Sequence, residues 1–188
     1  MNRRTKTVAV AAAVLLTLGA GGIAAASADE APAPAAATAT VKEAAALTGT
    51  AKLYRPAGDD ITFSFDAHLA KKDTMDPQAA TGTFRFSHYK PGVKGGYAVA
   101  KVDCLVTGGK VAVVTGTIID TDLDGRMGKR VGVSVHDDGK HDRLGYSWVG
   151  RETNLEVPPC LSSAPFEKVL AGTGDFKVVP WQLDYPTE

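Results

Sequence analysis

The chain has 188 residues, 21 Lys plus Arg against 21 Asp plus Glu, and four His. A balanced charge excludes the basic footprint of a nucleic-acid or anionic-membrane binder. Two cysteines are too few for a disulfide-dense mini-protein or a Cys-rich metal module.

The N-terminus reads as an export signal. Arg3, Arg4 and Lys6 precede a nearly continuous run of Ala, Val, Leu, Gly and Ile from Val8 to Ala26. Ala26-Ser27-Ala28 supplies the small-x-small cleavage pattern, so residues 1–28 are expected to be removed, leaving Asp29 first. The run is poor in Leu and Ile for a permanent anchor, and no second apolar run of spanning length follows. The expectation is a secreted, extracellular chain with no membrane contact after cleavage. Loss of the three leader cations leaves 18 Lys plus Arg against 21 Asp plus Glu, a net charge of about −3.

Residues 29–46 are rich in Ala, Pro and Thr and bury too little surface to offset their ordering entropy, so they read as a linker. Residues 47–188 remain for one domain with one core.

Within that domain the apolar period is two. Leu47 to Leu53 opens the set. Ile61, Phe63, Phe65 and Ala67 then alternate with polar neighbours, as do Phe84, Phe86 and His88. Runs from Tyr97 to Thr107 and from Lys110 to Asp120 flank Gly108-Gly109, a two-residue hairpin signal. Val131, Val133 and Val135, then Leu144, Tyr146 and Trp148, continue the alternation, and Asp175 to Val179 closes it. Pro165 to Leu170 is the one helix candidate. About eight strands with short Gly-, Asp- and Pro-rich links predict an all-β single antiparallel meander, a closed or nearly closed barrel, with a two-sheet sandwich as the alternative.

Cys104 and Cys160 form an even, minimal set in an oxidising compartment and lack C-x-x-C spacing, so they are expected to be bonded.

Gly82-Thr83-Phe84-Arg85-Phe86-Ser87-His88, Val102-Asp103-Cys104-Leu105 and Gly132-Val133-Ser134-Val135-His136-Asp137 resemble small secreted proteins of Gram-positive bacteria labelled repetin-like. Arg143 to Trp148 and Gly174 to Val178 fit the same group, over roughly residues 46 to 182. The resemblance implies an exported β-domain with two cysteines and no established activity, and it transfers no catalytic residue.

The chemistry-bearing patterns are few. Asp120, Asp122, Asp124 and Gly125 spell D-x-D-x-D-G, the first half of a calcium loop, but Val131 stands where a bidentate Glu is required. These three aspartates are the candidate metal ligands, for a weak calcium site; otherwise they form a solvated turn. His136, Asp137, Asp138, His141 and Asp142 crowd a second turn, which Asp138-Gly139 reads as a hairpin tip. Gly145, Ser147 and Gly150 miss the nucleophile-elbow spacing. His88 reads as a hydrogen-bonded core or rim histidine. Asp66, Asp103 and Asp175 sit singly on strands, with no sign that any two meet. Tyr97, Tyr146, Trp148 and Trp181 are expected in the core or lining a barrel mouth. No catalytic or cofactor-binding residue emerges. Two readings stay open: a secreted non-enzymatic domain acting through cell-surface or small-ligand contact, or a small hydrolase or inhibitor whose site assembles only in three dimensions.

Overall fold

The structure, a computed structural model, describes residues 42–147, 157–162 and 165–182. It is all-β. Among the described residues nine strands run in chain order: β1 (Glu43–Lys52), β2 (Asp60–Ala70), β3 (Thr81–Lys90), β4 (Val93–Gly108), β5 (Val111–Thr121), β6 (Arg130–His136), β7 (Arg143–Ser147), β8 (Glu167–Lys168) and β9 (Asp175–Val179). They form one antiparallel sheet, a meander from β1 to β8 with β9 added outside β1. The sheet curls through 272°, a nearly closed barrel rather than two stacked sheets.

The period-2 pattern fixes which faces turn inward. On β2, Ile61, Phe63, Phe65, Ala67 and Leu69 are buried. Phe84 and Phe86 answer from β3, paired with Phe65 and Phe63. Their rings form a column through the barrel. Tyr146 lies 5.4 Å from Phe63, which lies 5.8 Å from Phe86 and 6.2 Å from Phe65. Phe65 then meets Phe84 at 5.9 Å and Phe176 at 5.3 Å, the last edge-on. Offset and edge-on rings are the favoured packings, so the column adds specific contacts to simple burial. Beside these rings the next strand is small, with Ala98 and Ala100 of β4, the register partners of Phe86 and Phe84, fully buried.

β1 begins at Glu43, inside the segment rich in Ala, Pro and Thr. Ala44, Ala45 and Ala46 are buried there, where short side chains fit a crowded wall. Two local expectations are corrected. The two-residue hairpin loop is Gly109-Lys110, because Gly108 pairs with Val111. Gly109 alone takes the positive φ (+56°), the pattern of a turn with glycine first. Pro165–Leu170 is not helical: Glu167–Lys168 is a strand on β7, and Val169 bridges to Leu53 just past β1. That bridge joins the far end of the meander to its beginning. Tyr54 N–H donates to Lys168 O and Leu170 N–H to Lys52 O, completing the join.

Cys104 and Cys160 are bonded, with Cα atoms 5.2 Å apart. The bond fastens the segment around Cys160 over the outer face of β4 to β6. A β-bulge between Val102 and Cys104 on β4 breaks the register beside this attachment. Gly132 admits the segment: a Cβ there would stand 2.5 Å from Leu161 O and 3.1 Å from Val157 Cγ1. β6 is consequently buried on both faces from Val131 to Val135. Beneath the bond, Asp103 accepts from Thr115 (2.6 Å), Thr117 (3.2 Å) and Arg130 Nε (2.7 Å). Arg130 also reaches Val157 O, and Cys160 N–H donates to Thr115 Oγ1.

Candidate functional site

Two places gather chemistry, one at each end of the barrel. The first is the mouth. Ile61 and Phe63 from β2, Phe86 from β3, Val131 and Val133 from β6 and Tyr146 from β7 enclose an apolar cavity of about 40 Å³. A dry cavity of about 150 Å³ takes benzene, so this one admits only part of a larger group.

His88 stands on the same face of β3 as Phe86, opposite Ile61, at the exposed lip of this cavity. It is a rim histidine. Its Nε2 hydrogen-bonds Asp59 Oδ2 at 2.8 Å, and Lys90 Nζ lies 3.2 Å from Asp59 Oδ1. The His88 hydrogen bond holds the Asp59 carboxyl below its ordinary value against the opposing effect of burial, and Lys90 adds to it. Ser147, also at the mouth, has its Oγ 3.3 Å from Ser162 Oγ.

The second place is the seam at the other end. β9 pairs with β1 on one side, from Ala46↔Val179 to Thr50↔Asp175. Its other edge is met by side chains instead of a strand. Phe176 N–H donates to Asp142 Oδ2 (2.8 Å), and Val178 N–H to Asp137 Oδ2 (3.1 Å). Thr107, at the end of β4, donates to Val179 O (3.0 Å) and accepts from Trp181 N–H (2.7 Å). An open strand edge is an invitation to foreign pairing, and these groups cover it.

The seam brings three carboxylates together. Asp137, Asp142 and Asp175 place one oxygen each within 4.8 Å of the others. Asp142 is 2% exposed, and its second oxygen accepts Asp138 N–H at 2.8 Å. Burial pushes its carboxyl up, the backbone donors from Phe176 and Asp138 pull it down, and Asp175 pushes it up further. Asp175 goes the other way, held down first by Lys177, whose ammonium is 2.7 Å away. Lys177 is raised in turn, with Asp175 the main cause. Asp137 and Asp142 come from the second crowded turn; His136 and His141 do not join them. Asp175 is the partner that sequence reasoning missed, because its neighbours are set by β9 crossing the turn and not by anything adjacent in the chain.

The aspartates flagged at the first turn are exposed. Asp122 Oδ1 accepts Tyr97 N–H at 2.6 Å, and the Tyr97 hydroxyl reaches both Asp120 oxygens at 3.2 Å. The Tyr97 ring carries the Arg85 guanidinium 4.9 Å from its centre. Hydrogen bonding to Asp120 raises the Tyr97 hydroxyl above its usual value. Asp66 meets His68, and Asp103 serves the disulfide network. Trp181 packs against the core and donates from Nε1 to Thr74 O, Tyr146 lines the mouth, and Trp148 lies outside the described residues. Among the described residues no helix is long and apolar enough to cross a membrane.

Comparison with protein-family models, with curated proteins and with solved structures finds no match.

Proposed function

We propose that this chain is an exported, non-enzymatic β-domain that acts by binding, with the barrel mouth as its contact face. The observation that carries this reading is how the converging carboxylates are used. Both oxygens of Asp142 and both of Asp137 accept backbone N–H groups, from the turn itself and from β9, so these acids hold β9 to the turn instead of facing a substrate. The mouth has the anatomy of an anchor point, an apolar floor under a polar rim. Export rests on the leader, and the disulfide accords with an oxidising compartment. Membership of the repetin-like group belongs to the same proposal, on the strings quoted above.

A small hydrolase is the second reading, favoured by the Asp59–His88 pair at the rim, since a carboxylate-oriented imidazole is the usual general base. One set of proteins separates the two. The processed chain, beginning at Asp29 by mass spectrometry, is used to capture partners from culture medium and cell-wall fractions. It is also assayed on ester, peptide and glycoside panels. Binding is expected in the parent and lost in His88→Trp, which fills the mouth. Turnover that disappears in His88→Ala would replace the binding reading with the hydrolase one.

A further inference from the structure

The seam contains more negative charge than its surroundings neutralise. With all groups ionised, Asp137, Asp142 and Asp175 face one ammonium among the described residues, that of Lys177. In the β6–β7 turn, Asp138 lies 3.9 Å from Lys110 of the β4–β5 hairpin, Lys140 and His141 are exposed, and His136, half-buried, is the register partner of Val111 and Arg143. Arg143 of β7 and Lys168 of β8 are register partners, Arg143 exposed, and just past β8 the Val169 N–H donates to the backbone oxygen of Asp142. On β1 the residues opposite Asp175 and Lys177 are Thr50 and Thr48, which do not titrate. The excess negative charge therefore falls on the innermost carboxylate, Asp142.

We propose that Asp142 and Asp175 take up one shared proton on mild acidification, so that β9 is latched to the β6–β7 turn more tightly in acid than at neutrality. The geometry supports each part. Asp142 is the buried member, and two like charges this close resist ionising together. Asp175 keeps its charge because Lys177 is beside it, so a protonated Asp142 can donate to it. The oxygen that accepts Phe176 N–H remains an acceptor in either state. The sign follows. A carboxyl raised in the folded state binds its proton more tightly there than in the unfolded chain. Its contribution grows as pH falls through the folded value and is complete below the unfolded one. Asp175, shifted down, supplies stability that is lost only at lower pH still. The latch thus has an acid-side optimum near the ordinary aspartate range, about pH 4. This goes beyond the binding reading and does not depend on it.

Amide hydrogen exchange tests it, using protection factors for Phe176 and Val178 relative to β3 amides from pH 7 to pH 4.5. The parent is expected to gain protection at these two amides several-fold across that range. Asp175→Asn, an exposed change that removes the charged neighbour, should flatten the gain. Lys177→Gln, which removes the ammonium beside Asp175, should steepen it. Both substitutions lie on the outer side of β9 and leave the buried acid in place, should Asp142→Asn fail to fold. Protection that is flat or falls toward acid in the parent, or three identical profiles, overturns the latch.

Discussion

Gly116 of β5 lies directly against the Phe84 ring. A Cβ built on it would stand 2.8 Å from Phe84 Cε1 and 2.5 Å from Lys101 O of the neighbouring strand. The contact sits at the Phe65 end of the aromatic column, where Phe84 is 1% exposed. Gly116→Ala is therefore expected to destabilise the fold by about 1–3 kcal/mol, the usual range for overpacking a filled core. Urea unfolding measures it, and an unchanged midpoint would mean that the ring has room to turn aside.

Replacing both cysteines with serine tests the outer staple. The bond spans 56 residues of sequence, a loop for which the chain-entropy model gives about 4 kcal/mol. The expected result is a lowered melting temperature with the β-sheet circular dichroism retained, because Cys160 fastens a covering segment and no strand of the barrel. Loss of the sheet signal itself would show that the cover is needed to assemble β4 to β6.

His68 should give stability an alkaline slope. Its ring lies between Asp66 Oδ1 at 2.9 Å and Glu43 Oε1 at 2.5 Å, and these carboxylates raise its pKa, Asp66 foremost, against the opposing effect of burial. A raised histidine stabilises fully below its unfolded value of about 6.5, and the effect fades as pH rises through the folded value. Denaturant midpoints at pH 5.5, 6.5 and 8 should fall at the alkaline end in the parent, and His68→Gln should remove that part of the fall. Parallel curves would mean that the pair is screened by solvent.

Asp122 is tied to Tyr97 N–H, so Asp122→Ala should cost on the order of 1 kcal/mol. Combining it with Asp124→Ala tests calcium at the same turn. If the turn holds calcium, the millimolar ion raises the melting temperature of the parent, by preferential binding to the folded state, and leaves the double variant unmoved. A parent indifferent to calcium would leave Asp122 as a backbone acceptor and nothing more.

Most of the barrel was legible because its strands are amphipathic at period two: Ile61 to Leu69, Phe84 to Phe86 and Leu144 to Tyr146 each state which side is wet. The cysteine pair was legible from its count, its expected compartment and the absence of C-x-x-C spacing. What stayed hidden depends on contacts between distant segments. Ala44 to Ala46 read as the end of a linker rich in Ala, Pro and Thr, since alanine contributes little apolar area, yet all three are buried beside β2. Glu167–Lys168 read as a helical turn because two residues carry no period, and only β7 and Leu53 make them extended. Asp142 read as a turn residue and Asp175 as a solitary strand acid. Their meeting requires β9 to lie beside β1, which nothing local in either segment specifies.

The placement of β9 also sets an order of events. Each neighbour in the meander is synthesised directly after the last, so β1 to β7 can pair as soon as they emerge, through contacts of short range. β1 is the exception on one side: Thr50 waits for Asp175, 125 residues later. Until then one flank of β1 is a bare row of amides and carbonyls, and the Phe65 end of the ring column lacks the Phe176 edge that finishes it. A nascent chain stalled or truncated before Gly174 should therefore be a sticky, incomplete cylinder, and the last few residues of the domain determine whether copies of it remain apart.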